Sequence, residues 1–156
     1  MAETRQAKPR VFVDADVLFA GAAAPSEYGA SLLVLRMAEI TLIEAMCSRQ
    51  VLTEAERNLR EKIPGAVSTF RLLVERSLRV VKDPAPEDMV PYQGSADPKD
   101  LPILVAALRE RCPWLVTFNT RHYQPGHAQV CVVEPGEFVL RVREILSGLD
   151  RPPLEG

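Results

Sequence analysis

Apolar positions along the chain follow two spacings. Short continuous apolar runs alternate with longer stretches in which apolar residues recur every three or four positions. Arg10–Asp14 (RVFVD) is a run of the first kind that ends on an acid, and it predicts a strand buried on both faces. A small-residue loop is expected at 21–25, then a helix over 28–38 with apolar residues at 32, 33, 35 and 37. The short β-branched run Ile40–Ile43 predicts a second strand. Ser48 precedes a helix over 49–63, whose apolar positions 51, 52, 55, 59 and 63 keep helical spacing until Pro64-Gly65 ends it. Thr69–Leu78 predicts another helix and Arg79–Val81 a third strand. The stretch from Asp83 to Lys99 is the least regular, with Pro84, Pro86, Pro91, Gly94 and Pro98. Asp97-Pro98 matches an N-cap followed by proline at the first helical position. It would open a helix over Lys99–Arg111 with Leu101, Leu104, Val105 and Leu108 facing inward. Trp114–Phe118 and Gln129–Val133 predict the fourth and fifth strands, and Pro135–Leu146 the last helix. Strands alternating with helices predict an α/β fold around a mainly parallel sheet. Ligands of such sheets sit at the carboxyl ends of the strands, near the point where strand order reverses.

Composition narrows the class. The chain has 156 residues, 47% hydrophobic and 26% charged, which is the make-up of one globular domain. That domain is expected over 10–147, between a flexible N-terminal tail at 1–9 and a proline-rich tail at 148–156. The formal net charge of −2 argues against a strongly basic protein that coats nucleic acid. Cys47, Cys112 and Cys131 form no CxxC pair, which argues against a zinc ribbon and a disulfide scaffold. His122 and His127 are too few for a histidine-rich metal site. Residues 1–9 lack the apolar core of a signal peptide, and no apolar run approaches the ~18–20 residues of a membrane span. A reducing cytoplasm is the expected compartment.

The polar residues at strand ends carry the candidate chemistry. Asp14 closes the first strand and Asp16 follows two residues on, while Thr117 and Asn119 end the fourth. Asp97 and Asp100 stand at a predicted helix start, and Glu54 and Glu56 lie on the helix after Ser48. Asp100 precedes Ile103, Leu104 and Leu108 at helical spacing, which places it on the apolar stripe of its own helix. A carboxylate there is costly unless it is paired or holds a cation. Asp97 fits a plain N-cap. Between the glutamates, a helical wheel favours Glu56 over Glu54, or a solvated face for both. Two carboxylates ~4 Å apart repel by about 1 kcal/mol in water and about 4 kcal/mol at an effective dielectric near 20. A cluster of them requires raised pKa values or a hard divalent cation. With few histidines and no paired cysteines, the oxygen-rich set points to Mg²⁺ or Mn²⁺ rather than Zn²⁺.

Taken in order, these segments resemble the PIN-domain ribonucleases, in particular the bacterial group that includes VapC-type toxins. The likeness runs from about Arg10 to Ile145. VFVDADVLFAG resembles the family's first strand with its Asp-x-Asn/Asp. SRQVLTEAERNL resembles its Ser-led helix bearing one Glu, and SADPKDLPILVAAL its Asp-x-x-Asp and alanine-rich helix. WLVTFNTRHY is similar to its Val-Thr-x-Asp/Asn strand end, and VCVVEPGEFV to its last strand and final helix. Each motif is short, and their order and spacing make the signal specific.

The resemblance implies a PIN-like three-layer sandwich: a five-stranded parallel sheet with helices on both faces. It implies Mg²⁺- or Mn²⁺-dependent hydrolysis of RNA phosphodiesters, with Asp14, Glu54 and Asp100 as metal ligands. It selects Glu54 over Glu56, because Glu54 stands six residues after Ser48. Asn119 takes the place of a fourth catalytic acid, Asp16 and Asp97 stand behind the ligands, and Thr117 lines the site. The acid that often follows is absent, since the chain reads Thr120-Arg121-His122-Tyr123. His122 is a candidate phosphate contact. The stretch Arg57–Lys82 is rich in cations, and Arg57, Arg71 and Arg76 are its candidate RNA contacts. The implied partners are a small antitoxin and a second copy of the chain. Two rivals stand beside this reading. One is a PIN-fold interaction module with a weakened site. The other is a haloacid-dehalogenase-like phosphatase, suggested by Asp14-Ala15-Asp16 but with Leu18 at its Thr/Val position and no later Asp-Asp pair.

Overall fold

A computed structural model describes residues 8–24, 26 and 29–153. Most of the expected N-terminal tail, Tyr28 at the start of the predicted first helix, and residues 154–156 lie outside the described residues. Strand β1 (Arg10–Val13) forms as its apolar run predicts, with Val11, Phe12 and Val13 fully buried. It is the middle strand of a parallel sheet with β2 (Glu44–Ser48), β3 (Leu78–Val81), β4 (Trp114–Val116) and β5 (Cys131–Val133), in the order β3-β2-β1-β4-β5. The connections carry helices α1 (Ala15–Ala22), α2 (Ala30–Glu39), α3 (Arg49–Lys62), α4 (Val67–Ser77), α5 (Pro86–Met89) and α6 (Leu101–Arg109), and α7 (Pro135–Leu146) follows β5. Helix α1 packs on α2, α3 and α4, and α7 packs on α2, whereas α5 packs on α6 and α6 on β4. From β1 the chain steps outward through β2 and β3, then crosses back to β4 and β5. Right-handed crossovers in opposite directions place their helices on opposite faces. The result is the three-layer sandwich with a five-stranded parallel sheet that the sequence predicts.

Several elements begin elsewhere than their local pattern implies. Residues 40–43 form no strand. Ile40 closes α2, Thr41 takes a φ of 67°, and Ile40 and Leu42 are 64% and 48% exposed. The second strand is Glu44–Ser48, whose buried residues Ala45, Met46 and Cys47 lack the β-branched signature. The small-residue loop expected from Gly21 is instead the end of α1. A Cβ on Gly21 would stand 2.8 Å from Leu35 Cδ1, so the small side chain serves close approach of α1 to α2. Asp97 does not cap a helix at Pro98. Residues 98–100 are a turn, Asp100 takes the N-cap position, and α6 starts at Leu101 with Pro102 in its first turn. The irregular stretch after Asp83 contains α5 and a short 3₁₀ turn at Val90–Tyr92. The fourth and fifth strands are shorter than expected at the ends that lead into loops.

Ser48 ends β2 and caps α3. Its hydroxyl accepts the Val51 N–H at 3.4 Å, and the residue is buried. Ser48→Ala is expected to cost about 1 kcal/mol, read as a fall in the thermal midpoint, because it removes the cap that sets where α3 starts.

Candidate active site

Strand β1 connects towards β2 on one side and lies beside β4 on the other, so the crevice between the carboxyl ends of β1 and β4 is where strand order reverses. Val13 pairs with Val116, and the next residues on each strand, Asp14 and Thr117, therefore leave the sheet side by side. The Asp14 N–H continues the ladder by donating to the Val116 carbonyl at 3.0 Å. Its carboxylate is buried, and both oxygens accept hydrogen bonds. Oδ1 accepts the Ala15 N–H at 2.7 Å and caps α1. Oδ2 accepts the Thr117 hydroxyl at 2.9 Å and the Tyr123 hydroxyl at 2.7 Å. Thr117 and Tyr123 are themselves buried, so these donors are held in place by packing.

Asp16 lies in the first turn of α1 and faces the loop after β4. Its Oδ2 accepts the Phe118 N–H and the Asn119 Nδ2, each at 3.0 Å, and sits 3.3 Å from the Thr117 hydroxyl. That hydroxyl has a single proton, and its shorter contact is to Asp14. Asp16 thus fastens the β4 loop to α1. Burial, and then the charge of Asp14, push its carboxyl up to about 6. Asn119 turns its amide nitrogen to Asp16 and its backbone N–H to Thr117 Oγ1.

Asp100 is buried at the start of α6. Burial first, and then the Asp14 charge, raise its pKa. Glu54, on the second turn of α3, is raised by burial and then by Asp14 and Asp100. The three acids therefore form one electrostatic cluster, and Glu54 and Asp100 line the same cleft of ≈ 430 Å³. Glu56 points elsewhere. It binds Arg71 at 2.7 Å and Arg60 at 3.2 Å, and these guanidinium groups, Arg71 first, hold its pKa down. A helical wheel favours Glu56 only if a single neighbour covers α3. In fact α3 meets α1 and α4 on one side, while its Glu54 side opens on the cleft.

His122 lies in the 3₁₀ turn Thr120–Tyr123, and its Nδ1 is 3.2 Å from Asp100 Oδ2. The ligand-bearing atoms of Asp97, Asp100 and His122 all lie within 4.8 Å of one another. Asp97 reaches this corner because its N–H donates to the His122 carbonyl at 2.7 Å, while its own carbonyl accepts the N–H of Asp100 and Leu101. Arg71 spends its charge on Glu56, and Arg76 lies exposed on α4 with no ion pair among the described residues. Arg57 lines the cleft itself.

A family model described as the PIN domain matches residues 10–121. This chain belongs to the PIN-domain family. Among solved structures, the PIN chain is similar to VapBC2 from Rickettsia felis, solved bound to a DNA fragment from their promoter. That match has a TM-score of 0.59 and 15% identity, over 79% of this chain and 96% of that one. It is also similar to Mycobacterium tuberculosis VapC20, described as a sarcin-ricin loop cleaving toxin. There the TM-score is 0.54 at 17% identity, over 77% of this chain and 98% of that one. At such identities these likenesses show the fold. A comparison with curated proteins returns no match. Membership of the PIN family sets the haloacid-dehalogenase-like alternative aside.

The PIN site fits a hard divalent cation on its own chemistry. Its donors are carboxylate oxygens with one imidazole. Among the described residues Asp16 Oδ1 is a buried oxygen with no hydrogen-bond partner, and the buried Asp100 Oδ2 has only the His122 imidazole, 3.2 Å away, beside it. Buried charged oxygens without donors are costly, and a cation would satisfy them.

One participant was not legible as such in the sequence. Tyr123 belongs to WLVTFNTRHY, but a 3₁₀ turn has no periodicity that marks which residue points inward. A tight turn follows it. There Gly126 takes a φ of 77°, and a Cβ on it would stand 2.8 Å from the Tyr123 carbonyl. Tyr123→Phe keeps the ring and removes the donor. Calorimetry with Mn²⁺ is expected to show about 10-fold weaker binding, the size of effect seen when a group that orients a metal ligand is lost.

Proposed function

We propose that this PIN chain is a divalent-metal-dependent endoribonuclease and the toxin half of a bacterial toxin–antitoxin pair. The observation that carries the reading is that Asp14, Glu54 and Asp100, two buried and one half-buried, lie near enough for their charges to act on one another, with Glu54 and Asp100 lining one cleft. They come from a strand end, a helix and a helix start that are far apart in sequence, and no Lys or Arg forms an ion pair with them among the described residues. Asp14, Glu54 and Asp100 would hold Mg²⁺ or Mn²⁺. When bound, such a cation supplies Lewis-acid polarisation of a phosphate and lowers the pKa of a coordinated water.

The chain's own residues do the rest. The hydroxyls of Thr117 and Tyr123 and the Ala15 N–H hold the Asp14 carboxylate in one orientation. Asp16 anchors the loop carrying Asn119, whose amide oxygen is left free to meet water or substrate. Asp97 positions the His122 turn through the backbone. His122, beside Asp100, is placed to meet a phosphate oxygen at the site's edge.

The toxin reading is supported by family membership and by the likeness to proteins named VapBC2 and VapC20. On that reading the partners are a small antitoxin and a second copy of the chain. No helix among the described residues is long and apolar enough to cross a membrane, and the cytoplasm is the compartment where RNA would be met. One observation favours the rival interaction module: Asn119 replaces an acid and donates to Asp16, which lowers the site's charge.

The test is cleavage of several RNA classes by the purified chain with Mg²⁺, with Mn²⁺ and with EDTA. Products that need the metal support the nuclease. Cleavage that persists in EDTA overturns the metal role, and neither cleavage nor Mn²⁺ uptake points to the interaction module.

A further inference from the structure

The cleft that holds Glu54 and Asp100 is bordered by Arg49, Arg57 and Lys99. None of these cations forms an ion pair among the described residues, although Arg60 and Arg71, close by, are paired with Glu56. Arg49, Thr53 and Arg57 stand at successive fourth positions of α3, so they form one stripe on one helix face. The stripe is about 12 Å long at 1.5 Å per residue, long enough to meet more than one phosphate of a strand. Lys99 faces it from the turn before α6. That turn is tied to α3, because Gln50 Nε2 donates to the Lys99 carbonyl at 3.0 Å. The remaining acid on the rim, Asp83, is engaged by the Gln50 N–H at 3.0 Å. The cleft thus has an acidic floor and a cationic rim whose two sides are fixed relative to each other.

We infer that Arg49, Arg57 and Lys99 form the track for the sugar-phosphate backbone of a single RNA strand, leading it over Glu54 and Asp100. The inference rests on the ribonuclease reading and adds where the strand lies. Arg57 and Lys99 also offset the charge of Glu54, but Arg49, more than a turn before Glu54 on α3, lines the cleft without that role. Placing the backbone here keeps Arg57 from the sequence-based choice and sets aside Arg71 and Arg76 of α4, where Arg71 is already committed to Glu56. A chain of net charge −2 can hold RNA in this way because binding answers to local rather than total charge.

The experiment measures binding of the full chain to a labelled single-stranded RNA in EDTA, which stops cleavage and removes any metal bridge, across a salt series. Each lost phosphate contact lowers the slope of log affinity against log salt by about 0.7 on single strands. Arg49→Ala, Arg57→Ala and Lys99→Ala together are therefore expected to lower it by about 2, with affinity at low salt falling about 10-fold. Arg141→Ala, Arg143→Ala and Arg151→Ala remove the same charge outside the cleft and are expected to leave the slope unchanged. The Lys-for-Arg variants at 49 and 57 are expected to restore most of the binding and guard against misfolding. A triple variant that binds with the wild-type slope overturns the track. So does a loss confined to Arg71→Ala with Arg76→Ala, which would move the strand to α4. Wild-type protein that neither binds nor cleaves RNA instead overturns the ribonuclease reading.

Discussion

Asp14→Asn is expected to lower metal-dependent RNA cleavage by more than about 100-fold while leaving the chain folded. Groups that only orient a metal ligand already cost 10–100-fold when lost, so removing the charge of the ligand itself exceeds that range. The substitution keeps the shape of the side chain. One oxygen remains to accept the Thr117 and Tyr123 hydroxyls, while the amide nitrogen faces the Ala15 N–H and forfeits that bond. Against this loss stands relief of the repulsion that raises Glu54 and Asp100. Stability in EDTA should therefore stay within about 1 kcal/mol of wild type. Mn²⁺ calorimetry and a thermal melt separate the two effects. A variant that cleaves at the wild-type rate would remove Asp14 from the chemistry. One that neither folds nor binds would mean the residue is structural.

The second large effect is on stability against pH. The Asp16 carboxyl has an ordinary value of 3.8 and is pushed to about 6 in the folded chain. Between those values the folded chain binds more protons than the unfolded one. Its stability therefore falls as pH rises from about 4 to about 6. Asp16 alone contributes on the order of 1–2 kcal/mol, after allowance for solvent screening at its exposed edge. Glu54 and Asp100 shift in the same direction. In EDTA the chain should melt about 3–6 °C higher at pH 5 than at pH 7. Mg²⁺ or Mn²⁺ binds the ionised, folded form and should narrow the gap. A gap that divalent cations leave unchanged would show that these carboxylates do not hold them. Melting that rises from pH 5 to pH 7 in EDTA would contradict the buried-carboxylate account.

What the chain determines on its own is its alternation. Continuous apolar runs at 10–14 and 114–118 have no polar face to offer solvent, so they fold as inner parallel strands, while the shorter run at 79–81, with exposed Arg79, forms the edge strand β3. Helical spacing at 49–63 and 135–146 has one apolar side and folds as covering helices. The acids at strand and helix ends were visible because a polar residue that closes an apolar run must find a partner or a ligand.

Tertiary structure decided the rest. Strand β2 lies at 44–48 rather than 40–43, because burial between β1 and β3 outweighs the β propensity of an exposed turn. The choice between Glu54 and Glu56 depends on which helix covers which side of α3. A wheel cannot see that: Arg71 of α4 binds Glu56, while Glu54 lines the cleft with Asp100, the residue before α6. Tyr123 meets Asp14 across 109 residues of chain, through a turn with no repeating pattern. The local sequence can place a charge at the end of an element. Whether that charge meets a hydroxyl, an arginine or another carboxylate is set by the order in which β1 and β4 are laid side by side.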